Sequence, residues 1–113
     1  MDKTFDFEEK CFKIPYFLFS DRYEKLSLTA KILYGILFTK FLNVLEKSEK
    51  EDAEDSSAFR DRVGLFVDFN IETVAGFIGK SSSFVYSLLN LLEVAGLIGR
   101  VSADGKIRVY FKL

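Results

Sequence analysis

The side chains of this sequence that could do chemistry are suited to holding a ligand rather than to making or breaking its bonds. Histidine is absent, so no imidazole can move a proton near neutral pH, and the single Cys11 has no histidine to activate it. No glycine-rich phosphate loop precedes a helix. One cysteine without histidine allows neither an internal disulfide nor a soft-ligand zinc set, and the acidic residues at 46–55 match no calcium loop. The expectation is a non-enzyme with no metal and no cofactor. What remains is Lys80, Ser82, Ser83, Tyr86, Ser87 and Asn90 in one stretch, followed by Arg100, Lys106 and Arg108 in the next. Lysine, arginine and hydroxyl groups bind phosphates and asparagine reads base edges, so the set is suited to double-stranded DNA.

Those residues need elements that hold them on one surface. Ser81 is a natural N-cap for a helix over about 82–95, and Gly96 is a left-handed stop after it. Phe84, Leu88, Leu91, Leu92 and Ala95 share one face of that helix and are expected in the core, leaving Ser82, Ser83, Tyr86, Ser87 and Asn90 outward. Asn70 caps a shorter helix before it, with Glu72 in its first turn and Val74, Phe77 and Ile78 inward, and Gly79 ends it. Two helices joined by a short glycine turn are a helix-turn-helix.

After Gly96 the chain reads as two strands around Asp104-Gly105. A two-residue turn would set Val101 opposite Arg108 and Arg100 opposite Val109, mixing charge and core on both faces. A three-residue loop, Ala103 to Gly105, pairs Leu97 with Phe111, Gly99 with Val109 and Val101 with Ile107 on one apolar face. The second register is therefore predicted, with Gly105 left-handed in a bulge and with Arg100, Ser102, Lys106, Arg108 and Tyr110 on the other face beside the intruder Ile98.

Upstream, Ser27 caps a long helix over about 28–47 whose apolar residues recur at helical spacing, with Lys31, Tyr34 and Lys40 expected on its wet side. Before it, Pro15 holds its predecessor extended, and Tyr16 to Phe19 form a short helical turn or an apolar plug. Val63, Leu65, Val67 and Phe69 alternate as a strand, and Phe66 on its outer face suggests that both sides are partly covered. Residues 48–61 form a mobile, mostly acidic loop. The fold class is thus α+β, a winged helix-turn-helix with three main helices, a lone strand and a C-terminal hairpin wing. All of residues 1–113 make one domain, since 49% hydrophobic and 16% aromatic residues suffice for one core.

The net charge of −1 argues against a protein that merely coats nucleic acid, but the charge is segregated. Residues 46–55 hold six acids against two lysines, while Arg100, Lys106, Arg108 and Lys112 face only Asp104 in residues 99–113. The charged N-terminus lacks a signal peptide and the apolar run at 32–38 is too short to span a bilayer, so the setting is expected to be cytoplasmic.

The stretches "FKIPYFLF", "YEKLS", "AKILYGILF" and "LFVDFNIETVAGFIGKSSSFVYSLLNLLEVAGLIGR" resemble the N-terminal domain of the plasmid replication initiator A family of Gram-positive bacteria. The resemblance covers about residues 12–110 and is most specific at Ile14-Pro15 through Leu18, Leu26-Ser27, Ala30-Lys31 and Leu33-Tyr34-Gly35. It implies a DNA-contacting domain that binds repeated origin sites as a homodimer, within a non-enzymatic initiator that recruits host replication proteins. The family's recognition helix is usually basic, whereas this one holds no basic residue between Ser81 and Ala95.

A winged helix can instead serve protein interaction or dimerisation without DNA. Val85, Tyr86, Leu89 and Val94 could form such a patch, and Phe38, Phe41 and Leu42 a dimer seam. The polar set also has plainer uses: serines cap, Tyr86 packs and alternating charges form a solvated strand face.

Overall fold

The computed structural model describes residues 11–50, 60–103 and 106–112. Of the loop expected at 48–61, residues 48–50 are instead helical and residues 51–59 lie outside the described residues, as does the proposed bulge at Gly105. Ser27 Oγ accepts the Ala30 N–H at 3.2 Å and starts helix α1, Leu28–Lys50. Strand β1, Phe66–Phe69, leads into α2, Ile71–Ile78, and α3, Ser82–Val94. The hairpin of β2, Ile98–Ala103, and β3, Lys106–Phe111, follows, so the element order is the one expected.

Both short helices begin on side-chain caps and end on left-handed glycines. Asn70 Oδ1 accepts from the Glu72 and Thr73 N–H groups, and Ser81 Oγ from Phe84 N–H. Gly79 and Gly96 have φ of 71° and 77°, a region that costs a residue with Cβ. The carbonyls that each helix end would leave unmet are taken by Lys80 N–H on Ala75 and by Leu97 N–H on Leu92. This closure turns Leu97 into the core directly from the end of α3.

The sheet is antiparallel with order β1-β3-β2, placing β3 in the middle. Ile107, Val109 and Phe111 of β3 face the helices together with Val67, Phe69 and Ile98, and all are buried. α1 supplies Ala30, Leu33, Tyr34, Leu37 and Phe41 to the same core. Phe111 meets Tyr34, Phe38 and Phe41 at ring-centroid distances of 5.7, 5.8 and 5.1 Å. Phe38 and Phe41 therefore serve the interior, against the dimer seam considered from sequence. Leu28–Glu46 is long and apolar enough to cross a bilayer by composition, and here half of it is buried within the fold.

Residues 16–19 form the expected helical turn, with Leu18 fully buried. The segment before it lies across α1 at Gly35, where a Cβ would sit 2.8 Å from Ile14 Cγ1 and 2.9 Å from the Lys13 carbonyl oxygen. Lys13 N–H donates to Thr39 Oγ1 at 2.7 Å one turn further along.

Several sequence expectations are corrected. Tyr34 and Lys31 are buried rather than on a wet face, with Lys31 Nζ 5.1 Å from the Phe19 ring centroid, and the Lys40 ammonium donates to the Asp68 carbonyl. Val63 is exposed and precedes the strand, and Phe77 is largely outside the core. On α3 the buried residues are Val85, Leu88, Leu89 and Leu92, while Phe84 and Leu91 are exposed. The core stripe is rotated by about one residue toward the side on which α1, α2 and β2 pack. The hairpin register is the two-residue one: Val101 pairs with Arg108, Arg100 with Val109 and Ala103 with Lys106. Ile98 is thus core rather than an intruder on a charged face.

Candidate nucleic-acid interface

The turn between α2 and α3 sets Lys80 and the small serines at the start of α3. Lys80 is exposed and its ammonium lies 5.4 Å from the Phe84 ring centroid. Ser82 is half-buried, whereas Ser83, Tyr86, Ser87 and Asn90 are exposed along one side of the helix. The Ser87 hydroxyl donates back to the Ser83 carbonyl at 3.1 Å. The same solvent side also carries Phe84, Leu91 and Val94, exposed by 38, 45 and 88%. The outer surface of α3 therefore carries large apolar side chains among the polar ones.

The corrected register separates the two wing arginines that the sequence placed together. Arg100 sits opposite Val109 on the inner face of the sheet. It is tolerated there because its guanidinium turns onto α3: Nε lies 2.5 Å from Glu93 Oε1, one N–H donates to Asn90 Oδ1, and Cζ is 5.7 Å from the Tyr86 ring centroid. Arg100, Asn90 and Tyr86 form one cluster at the junction of helix and wing.

Arg108 points to the opposite face of the sheet. It holds Asp68 through Nε at 2.7 Å and Nη2 at 2.9 Å, donates to Asp61 at 3.0 Å, and lies 3.8 Å over the Phe66 ring. Tyr110 O–H donates to the same Asp61 oxygen at 2.6 Å. This forked, charge-assisted pairing raises the Arg108 pKa, mainly through Asp68, and covers the outward Phe66 as the strand pattern suggested. The Tyr110 hydroxyl holds Asp61 below the ordinary carboxylate range, with help from the Val63 and Gly64 N–H groups. Tyr110 is itself pushed up by that bond.

Of the nine sequence-derived residues, the structure gathers Ser83, Tyr86, Ser87, Asn90 and Arg100 on one surface, with Lys80 at the helix start. Lys106 is exposed at the outer end of the hairpin, and Arg108 is turned away. Sequence reasoning missed Glu93, Asp68 and Asp61, the acids that engage the two arginines. Asp68 was legible as the cross-strand partner of Arg108 only if β1 was registered against β3. Asp61 follows from a turn in which its carboxylate accepts the Val63 and Gly64 N–H groups.

No protein-family model and no curated protein matches the sequence. Among solved structures, one described as "Structure of Rep-DNA complex" aligns over 95% of this chain and 77% of its own, with a TM-score of 0.64 and 19% identity. Another, described as "N-Terminal domain of DNA binding protein", aligns over the same shares with a TM-score of 0.65 and 19% identity. Three helices, a three-stranded antiparallel sheet and this likeness make the chain a winged helix-turn-helix.

Proposed function

We propose that this chain is a DNA-binding domain that docks α3 and the hairpin on duplex DNA, as part of a plasmid replication initiator. The observation that carries the reading is the polar side of α3, where Ser83, Tyr86, Ser87 and Asn90 are exposed and where Tyr86 and Asn90 meet Arg100 of the hairpin. A solved fold relative described as a Rep-DNA complex supports it. The helix carries no cation of its own, so orientation comes from hydroxyls, the asparagine amide and the N-terminal dipole, and attraction from Lys80 and Lys106. The resemblance of "FKIPYFLF" and "AKILYGILF" to initiator sequences supports the finer parts of the reading. In these the domain works in the cytoplasm as a homodimer on repeated origin sites, is no enzyme, and recruits host replication proteins.

The exposed Phe84, Leu91 and Val94 favour a second reading, a protein-interaction or dimerisation module. Binding of the purified chain to duplex DNA across a salt series separates the two. Two phosphate contacts, from Lys80 and Lys106, would give log affinity falling with log salt at a slope of about −2. A flat response, or no binding at low salt, abandons the DNA reading for the second.

A further inference from the structure

We infer that Asn90 reads DNA as a hydrogen-bond donor, because Arg100 of the wing occupies its acceptor oxygen, and that it therefore selects guanine over adenine at one base pair. The inference rests on the DNA reading above and adds the chemistry by which the helix would discriminate bases.

Arginine carries five N–H donors and no acceptor, so only Oδ1 of Asn90 can face it, and this fixes the amide orientation. The guanidinium is held in place by Glu93 at 2.5 Å and by the Tyr86 ring, and its side chain is only 22% exposed. It issues from β2, paired to the central strand, so the wing and the helix share one rigid contact.

A free asparagine reads adenine with both amide atoms, Oδ1 accepting from N6 and Nδ2 donating to N7. Here a second donor approaching Oδ1 would come up beside a fixed cation, which disfavours it. The same cation polarises the amide and strengthens Nδ2 as a donor. Guanine offers two acceptors, N7 and O6, on its major-groove edge, where adenine offers one acceptor and one donor. A donor backed by a guanidinium matches the guanine edge. Arg100 acts here as a positioning residue, since it sets which atom of Asn90 faces the groove.

The test is selection from a random duplex DNA library at low salt with the wild-type chain, followed by affinity measurement on single-base variants. The position to examine is the one whose preference Asn90→Ala abolishes. Guanine is expected there over adenine by roughly ten-fold, the low end of what one specific contact supplies. Arg100→Met, shown to be folded by circular dichroism, should bring that ratio close to one or reverse it. Asn90→Asp replaces the donor with an acceptor while leaving the wing intact, and should move preference to a base that presents an exocyclic amine. Adenine preferred by the wild type, guanine preference retained in Asn90→Asp or in folded Arg100→Met, or no position altered by Asn90→Ala would overturn the inference while DNA binding stands. Failure of the wild type to bind duplex DNA at low salt overturns both.

Discussion

Arg108 is held by Asp68 and Asp61 above the Phe66 ring, so its charge is spent within the fold and Asp61 is drawn into the sheet's outer face. Asp61 accepts from Tyr110 O–H, from two backbone N–H groups and from Arg108, all of which favour the ionised carboxylate. A carboxylate with a depressed folded pKa stabilises the fold above its unfolded value, here 3.8, and loses that contribution as pH falls through the lower folded value. Tyr110 has the opposite sign, its contribution lasting up to its ordinary 10.0 and fading as pH rises through the raised value. Thermal unfolding between about pH 5 and pH 2 is therefore expected to show a shallower acid decline for Asp61→Asn than for the wild type, from a lower neutral-pH midpoint. Identical acid slopes would mean that the Asp61 contacts contribute nothing to folding.

At the scale of elements, the contact between the N-terminal segment and α1 makes a signed prediction. A methyl at Gly35 meets Ile14 and the Lys13 backbone, whereas one at Gly76 in α2 meets nothing within 4 Å. Gly35→Ala should cost about 1–3 kcal/mol by overpacking, and Gly76→Ala should gain about 0.5–1 kcal/mol from helix propensity. Denaturant midpoints measure both, and a stabilised Gly35→Ala would show that residues 12–14 do not lie against the helix. The helices were legible in sequence because their signals are local: Ser27, Asn70 and Ser81 cap, and Gly79 and Gly96 stop. The hairpin register was not legible, because its choice assumed one fully apolar strand face. Arg100 breaks that assumption by reaching Glu93 and Asn90 on α3, and Leu97 fills the core from the helix end instead of from a strand position. The core stripe of α3 was misread for a related reason. Phe84 and Leu88 fit an apolar stripe as well as Val85 and Leu89 do, and only the placement of α1, α2 and β2 around the helix decides between them.

Over the whole molecule, cations are divided between those that hold the fold and those that face outward. Lys106→Ala is expected to reduce the salt slope of DNA binding by about 0.9, one phosphate contact, with little change in thermal stability. Arg108→Ala should do the reverse, lowering stability while the slope of the folded protein stays unchanged. A slope altered by Arg108→Ala alone would show that the guanidinium leaves its two carboxylates to meet DNA. The strand order carries a different consequence. β3 lies between β1 and β2, and Asp68 and Arg108 are bonded across 40 residues of chain. During synthesis the three helices can emerge and begin to pack, yet neither earlier strand has a partner until residues 106–111 leave the ribosome. Sheet closure, and with it the pinning of Arg100 against the helix, must follow the helices, so a nascent chain halted before Lys106 would carry α3 without the paired strand that holds Arg100 against it.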